Sequence, residues 1–189
     1  MISGVVLAAG TASRFGSTKQ LVRVAGRPLV QHAIDALADA GVDEVIVVTG
    51  HDADAVEAAL SLPPHGRFVR NPSYRDGQAT SLAAALHAVA DESEAAIVLM
   101  GDQPDVSAEV VRALISGFRE TRKQIVRIAY RDGPGPALLS REIYGEAGHL
   151  SGDVGARVLI ASHPDWVENV PIDADAPRDI DTPGDLEPS

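Results

Sequence analysis

Short apolar runs alternate along most of the chain with longer segments of helical periodicity, and this alternation restricts the fold more than any other feature. Three runs rich in β-branched residues are predicted to be buried strands: Val5–Leu7, Val45–Val48 and Ile97–Met100. The segments between and after them repeat apolar residues on one helical face, and they include Val30, Val56, Leu82 and Val110. A repeated β-α-β-α order predicts an α/β fold, in which helices cover both faces of a parallel sheet.

The last third of the chain follows a different pattern. Ile125–Tyr130 and Pro136–Ser140 are predicted strands on either side of a turn-rich segment, which indicates a small antiparallel excursion at one edge of the sheet. A helix over Gly155–Ala161 and a strand around Trp166–Val170 are predicted to follow. Because no repeat or long linker interrupts the chain, we expect residues 1–189 to form a single domain.

Composition and charge exclude several classes of protein. The chain has 189 residues and no cysteine, which excludes disulfides, thiolate catalysis and thiolate metal sites. Its net charge of −11 opposes binding to nucleic acid or to an anionic membrane, so neither partner is expected. With no apolar run of transmembrane length and no basic segment before the first strand, the sequence predicts a cytoplasmic protein.

A loop of small residues follows the first predicted strand. It holds Gly10 and Gly16, which allow backbone N–H groups to approach an anion, and two cations, Arg14 and Lys19, that can neutralise phosphate oxygens. Open α/β sheets build nucleotide sites where a strand enters such a loop, although glycine content alone fits a solvated turn equally well. The residues expected at the nucleotide are Leu7, Ala8, Ala9, Gly10, Gly16 and Lys19.

Two acidic segments are candidates for binding a metal ion. Asp102 directly follows the strand Ile97–Met100, so it is predicted at the same sheet edge as the small-residue loop, although an Asp before Pro104 also fits a plain turn. A carboxylate facing phosphates is best explained by Mg²⁺ or Mn²⁺. Asp179 and Asp181 point the same way in an extended segment and are candidates for further ligands; the alternative is a solvated acidic tail.

Two further segments have both a structural and a functional interpretation. The glycines at 152 and 155 allow close backbone approach beside Arg157, while Asp153 fits the N-cap of the following helix. Asn71 can bond a nucleobase or its own turn, and Ser81 can face a ligand or cap a helix.

These segments together resemble the nucleotidyltransferases related to MobA and MocA, which add a nucleotide to molybdopterin. The matching patterns are L-A-A-G-x-x-x-R-x-G-x-x-K from Leu7, N-P-x-x-x-x-G-x-x-x-S-L from Asn71, G-D-Q-P from Gly101, L-x-G-D-x-G-A-R from Leu150 and D-x-D-T-P-x-D-L from Asp179. The resemblance implies a Rossmann-like three-layer α/β/α nucleotidyltransferase fold with a mostly parallel sheet.

The resemblance also implies roles for individual residues. The implied catalytic residues are Arg14, Lys19 and Asp102; the implied metal ligands are Asp102 and Asp181, with Asp179 less favoured. Asn71, Ser81 and Gly101 join the nucleotide side. The acceptor side would comprise Gln103, Pro136, Gly152, Asp153, Gly155 and Arg157. The chain departs from the family at Gly135, where a His or Asn before the proline is common.

The chemistry implied is nucleotidyl transfer from a nucleoside triphosphate to a phosphorylated small-molecule acceptor. A phosphate monoester has a second pKa of about 6, so it can attack without a protein base. The Ala8-Ala9-Gly10 sequence resembles the cytidylyl branch, and the Ala9 methyl is expected to narrow the base pocket. We therefore expect transfer of CMP to molybdopterin, with a molybdoenzyme as maturation partner. The alternatives are guanylyl transfer, methylerythritol phosphate or sugar 1-phosphate acceptors, and a nucleotide-binding maturation partner without turnover.

Overall fold

A computed structural model describes residues 1–11, 15, 18–152 and 156–186. In chain order its elements are β1 (Ile2–Leu7), β2 (Arg23–Val24), β3 (Arg27–Pro28), α1 (Leu29–Ala40), β4 (Glu44–Thr49), α2 (Ala53–Ala59), β5 (Gly66–Arg70), α3 (Gln78–Ala88), β6 (Ala95–Met100), α4 (Ala108–Thr121), β7 (Ile125–Ala129), β8 (Pro134–Ser140), α5 (Tyr144–Gly148), α6 (Arg157–Ser162) and β9 (Val167–Pro171).

Seven strands form one mostly parallel sheet in the order β5-β4-β1-β6-β8-β7-β9. Only β8 runs antiparallel, and it pairs with both β6 and β7. The expected antiparallel excursion therefore exists, but its predicted place at the sheet edge is wrong, because β9 pairs in parallel with β7 and takes that edge. The fully buried Leu138 and Leu139 of β8 point to opposite faces, which explains why this strand lies inside the sheet. A two-stranded sheet of β2 and β3 was too short to give a periodic signal.

Helices cover both faces of the sheet. On one face, Val6 of β1 packs in the same cluster as Leu37 of α1 and Leu114 of α4. On the other face, Val5 packs in a cluster with Leu82 of α3 and with the α5 region. This alternation along β1 produces the three-layer α/β/α arrangement, which confirms the predicted Rossmann-like nucleotidyltransferase fold.

The parallel strands bring several loops to one edge of the sheet. Gly101 N–H donates to the Leu7 carbonyl at 3.0 Å, which ties the end of β6 to the end of β1. The His51 N–H donates to the Ala9 carbonyl at 3.2 Å and ties in the end of β4. Among the described residues, no helix combines the length and the apolar character needed to cross a bilayer.

Candidate active site

Lys19 lies between two carboxylates that come from distant parts of the chain. Its ammonium Nζ donates to Asp102 Oδ2 at 3.1 Å and to Asp181 Oδ1 at 2.8 Å. Asp102 follows β6, whereas Asp181 lies on the C-terminal segment, whose Ile180 N–H donates to the Asp102 carbonyl at 3.0 Å. The side chains of Lys19 and Asp102 are 13% and 26% exposed, so water screens their attraction only in part. The fold thus gathers one cation and two carboxylates at the carboxyl edge of the sheet.

The contacts of Lys19 and Asp102 shift their pKa values. Burial lowers the pKa of Lys19, but hydrogen bonds and charges from Asp181 and Asp102 together raise it above its usual value. Burial raises the pKa of Asp102, and Lys19 offsets only part of this increase. The fold by itself therefore disfavours the ionised form of Asp102, which a bound cation would favour.

One oxygen of Asp102 has no hydrogen-bond partner among the described residues. Asp102 Oδ1 is buried and accepts no hydrogen bond from the part of the chain that the structure describes. Such an atom is costly unless a ligand uses it. Mg²⁺ usually binds one or two carboxylates, with water and substrate phosphates as its other ligands. Asp102 and Asp181 supply two carboxylates, as this requirement asks. Within the described ranges, no group of three or more His, Cys, Asp or Glu side chains is arranged to hold a metal ion.

The structure separates Asp179 from Asp181. Asp179 Oδ1 accepts a hydrogen bond from Gln103 Nε2 at 2.8 Å, whereas Asp181 contacts Lys19. Ile180 between them is fully buried and anchors the segment to the sheet. Asp179 therefore contacts Gln103, whereas Asp102 and Asp181 share Lys19.

A first cleft of about 310 Å³ lies beside Lys19. Its lining includes six other residues predicted at the nucleotide or metal: Leu7, Ala8, Gly10, Gly101, Asp102 and Asp181. Gln20, which the sequence analysis did not assign, is buried in the same cleft. Its Nε2 donates to the carbonyls of Ala8 and Gly10 at 3.1 and 2.7 Å, so this side chain fixes the start of the small-residue loop.

Ala9 does not line this cleft. Its side chain is buried on the opposite sheet face, where a Cβ added to Gly50 would lie 2.9 Å from the Ala9 Cβ. The expectation that the Ala9 methyl narrows the nucleotide cleft is therefore wrong for the cleft beside Lys19. Just beyond the end of β1, Ala8 lines the cleft, whereas Ala9 packs in the cluster on the other face.

The side chain of Asn71 is fully used inside the protein. Its Nδ2 donates to Thr80 Oγ1 at 2.9 Å and to Ser81 Oγ at 3.0 Å, and its Oδ1 accepts from the Ser73 N–H at 2.9 Å. Neither Asn71 nor Ser81 is among the described residues lining the cleft beside Lys19. Of the two interpretations of Asn71, the structure contains the turn. The hydrogen bonds of Asn71 and Ser81 stabilise the connection that leads into α3.

A second cleft of about 390 Å³ adjoins the first, and Leu7 and Met100 line both. The floor of the second cleft is apolar and includes Leu82, Val98, Ala137 and Ile160. Its polar lining includes Gln103 and Arg157, and Pro136 also lines it; all three were assigned to the acceptor. The two clefts therefore meet where β1 and β6 end, two residues before Asp102.

Arg127 is a further cation of the second cleft that the sequence analysis missed. Its Nε and Nη2 donate to Asn169 Oδ1 at 3.1 and 2.7 Å, which fixes the guanidinium. A single arginine in a predicted strand belongs to none of the matched motifs, so only the pairing of β7 with β9 identifies it.

Two of the matched motifs meet through their glycines. Gly77 has φ +108°, and a side chain there would collide with the backbone of Gly152, which itself has φ +71°. Gly152 therefore packs against the loop before α3, and it is not among the described residues lining the second cleft. The predicted residues Arg14, Gly16, Asp153 and Gly155 lie outside the described residues.

Gly135 departs from the family pattern for a steric reason. A Cβ at this position would lie 2.5 Å from Tyr130 Cε2 and 2.9 Å from Ile128 Cβ. We expect Gly135→Ala to lower the free energy of unfolding by about 1–3 kcal/mol, because the added methyl overpacks the hairpin. Gly133→Ala is the control, since its Cβ would meet nothing within 4 Å. Urea denaturation measures both, and equal midpoints would contradict the steric explanation.

Comparisons with known proteins agree with this geometry. The sequence matches the MobA-like NTP transferase domain over residues 4–167. It is 33% identical to nicotine blue oxidoreductase of Paenarthrobacter nicotinovorans, over 96% of this chain and 92% of that protein. It is 34% identical to the bifunctional protein GlmU of Methylibium petroleiphilum. That alignment covers 82% of this chain but only 34% of GlmU.

The fold is close to that of a solved mycobacterial protein. Rv0371c from Mycobacterium tuberculosis H37Rv superposes with a TM-score of 0.86 at 33% identity, covering 97% of this chain and 94% of that one. A second structure of Rv0371c, in complex with manganese, gives a TM-score of 0.82 at 32% identity and covers 97% and 95% of the two chains. The chain therefore belongs to the MobA-like NTP transferase family and is an enzyme of the nucleotidyltransferase class.

Proposed function

We propose that this protein transfers a nucleoside monophosphate, CMP from CTP, to a phosphorylated acceptor with Mg²⁺ or Mn²⁺ as cofactor. The observation that carries the proposal is the Lys19 ammonium between Asp102 and Asp181, together with Asp102 Oδ1, which accepts no hydrogen bond from the described residues. The manganese complex of Rv0371c supports a divalent ion in this fold.

The reaction requires positioning and charge neutralisation rather than a protein base. An oxygen of the dianionic acceptor phosphate attacks the α-phosphorus, and the bond from that phosphorus to the departing pyrophosphate breaks. No proton has to move. Lys19 neutralises the phosphate oxygens, while Asp102 and Asp181 would hold the divalent ion, which when bound supplies further positive charge to the phosphates.

The second cleft supports an acceptor with a flat apolar body. Its floor of Leu82, Val98 and Ala137 suits a ring system, and Arg127 and Arg157 suit an anionic or carbonyl group on that ring. A pterin such as molybdopterin has these properties, whereas a sugar 1-phosphate would leave many hydroxyls facing apolar side chains. A molybdoenzyme that receives the modified pterin is then the implied partner.

The direct test is pyrophosphate release in the presence of a triphosphate, an acceptor and Mg²⁺ or Mn²⁺. The panel of acceptors is molybdopterin, methylerythritol phosphate and a sugar 1-phosphate, and mass spectrometry identifies the nucleotidylated product. A protein that binds CTP tightly but releases no pyrophosphate with any of these would favour the non-catalytic alternative.

The preference for CTP over GTP rests on the resemblance of Ala8-Ala9-Gly10 to the cytidylyl branch. We expect CTP to be used about 10–200-fold better, the range that corresponds to one differential contact of about 1–3 kcal/mol. Competition between equal concentrations of CTP and GTP measures this ratio from the two products. Ala9→Gly is expected to leave the ratio unchanged, because Ala9 lies on the opposite face from the cleft. Preferential use of GTP would contradict the cytidylyl assignment alone.

A second candidate function comes from the similarity to nicotine blue oxidoreductase. Under that alternative, the protein would oxidise NADH or NADPH in the presence of a quinonoid dye, and absorbance at the reduced nicotinamide band would fall. The Lys19, Asp102 and Asp181 group favours phosphate chemistry instead. Dye-dependent loss of NADH together with an absence of pyrophosphate release would reverse this choice.

A further inference from the structure

Asp181 needs support from its own segment to present a carboxylate to Lys19. It lies outside the helices and strands, and its side chain is 51% exposed. On its N-terminal side, the buried Ile180 anchors the chain to Asp102. On its C-terminal side, the side chain of Asp185 supports it.

Asp185 closes the turn that follows Asp181. Its Oδ2 accepts hydrogen bonds from the Asp181 N–H at 2.9 Å, the Thr182 N–H at 2.6 Å and the Thr182 Oγ1 at 2.9 Å. The Asp185 N–H in turn donates to the Thr182 carbonyl at 3.1 Å. One carboxylate oxygen thus fixes the backbone at Asp181 and at the next residue.

We propose that Asp185 is a positioning residue, which holds Asp181 in the orientation that contacts Lys19 and that binds the divalent ion. The second half of this inference rests on the proposed function, whereas the first half concerns the protein alone. Asp185 acts through Asp181. Replacement by asparagine distinguishes this role from that of a direct metal ligand. Asparagine retains an oxygen that accepts the same three hydrogen bonds, but it lacks the charge that a metal ligand supplies.

The lysine content of the chain offers a direct probe. Lys19 and Lys123 are its only lysines. Lys123 Nζ donates to the Asp165 carbonyl and belongs to neither the Lys19 group nor the segment of Asp181 and Asp185. Acylation by a limiting amount of N-hydroxysuccinimidyl acetate, read by peptide mass spectrometry, therefore reports Lys19 with Lys123 as an internal standard. An ammonium held between two carboxylates reacts slowly, because only the free amine is nucleophilic.

The variants are Asp185→Ala and Asp185→Asn, with Asp173→Ala as the matched control. Asp173 belongs to the same C-terminal segment, is 95% exposed and pairs with Arg131 away from the site. We expect Asp185→Ala to increase Lys19 acylation several-fold relative to Lys123, toward the level of Asp181→Ala. Asp185→Asn and Asp173→Ala are expected to match the wild-type protein. Circular dichroism verifies that each variant is folded.

Mn²⁺ binding, followed by the electron paramagnetic resonance of the free ion in the presence of CTP, is the second readout. We expect Asp185→Ala to weaken Mn²⁺ binding about 10–100-fold, the usual effect of losing a residue that orients a ligand, and Asp185→Asn to retain most of the affinity. Wild-type reactivity of Lys19 in Asp185→Ala would overturn the inference. Equal losses of Mn²⁺ affinity in the Ala and Asn variants would overturn it and would show that Asp185 binds the metal directly. Altered Lys19 reactivity in a protein that binds no Mn²⁺ at all would contradict the proposed metal site but not the positioning of Asp181.

Discussion

Replacing Asp102 by asparagine is expected to reduce pyrophosphate release by about a thousandfold or more, because it removes the most buried acidic ligand of the proposed metal site. A metal ion that stabilises the transferring phosphates lowers the activation barrier by several kcal/mol, and a neutral amide holds such an ion poorly. Initial rates at saturating CTP and acceptor, over a titration of Mg²⁺ and of Mn²⁺, measure the effect. Asp91→Asn, whose carboxylate is fully exposed, is the control.

The same substitution is expected to leave thermal stability unchanged or higher at pH 7. Burial raises the pKa of Asp102, so its protonated form is favoured by folding. Such a group stabilises the protein below its unfolded-state pKa and loses that contribution as the pH rises through its folded-state pKa. The wild-type carboxyl therefore contributes less to stability at pH 7 than at pH 4, and asparagine removes this dependence on pH.

Thermal unfolding at pH 4 and pH 7 without added metal checks this sign. The melting temperature of Asp102→Asn relative to that of the wild-type protein is expected to be higher at pH 7 than at pH 4. An inactive variant that also melts several degrees lower at pH 7 would mean that Asp102 is primarily structural, and it would remove the support for a metal role.

The position of Asp102 could be predicted from the sequence because local rules determine it. A continuous apolar run such as Ile97–Met100 is typical of a buried parallel strand, and a polar residue just after it lies at the carboxyl edge of the sheet. The same rules place Lys19 near it through β1. Local rules do not predict the contact between Lys19 and Asp181, which are 162 residues apart. That contact depends on the path of the whole C-terminal segment.

The features that the sequence did not predict depend on which strands pair, or on which of two adjacent residues points to a given face of the sheet. The position of β8 between β6 and β7 is a tertiary choice among strands that look alike in sequence. Ala8 and Ala9 are the same residue type one step apart, yet alternation along the chain sends one to the cleft and the other to the opposite face. From the sequence, Asn71 could bind a ligand or stabilise a turn, and only its three internal hydrogen bonds distinguish the two roles.

Lys19→Ala is expected to lower kcat/KM for CTP by about 100–1,000-fold, close to the effect of removing one electrostatic donor worth about 3–4 kcal/mol. The ammonium lines the first cleft and contacts Asp102 and Asp181, so it can neutralise the charge that develops on the transferring phosphate. Lys123→Ala, the other lysine of the chain, is the control and is expected to retain full activity. Retention of most activity by Lys19→Ala would remove the phosphate assignment.

A stability measurement separates this catalytic role from a structural one. Without Lys19, Asp102 and Asp181 lose a shared counter-ion, and two carboxylates left facing each other destabilise the fold. A divalent cation held by the same carboxylates compensates their charge, so Mn²⁺ is expected to raise the melting temperature of Lys19→Ala by more than that of the wild-type protein. The stability of the variant would then be restored by Mn²⁺ while its activity stays low. Recovery of activity along with stability would instead show that Lys19 serves only to hold the two carboxylates in place.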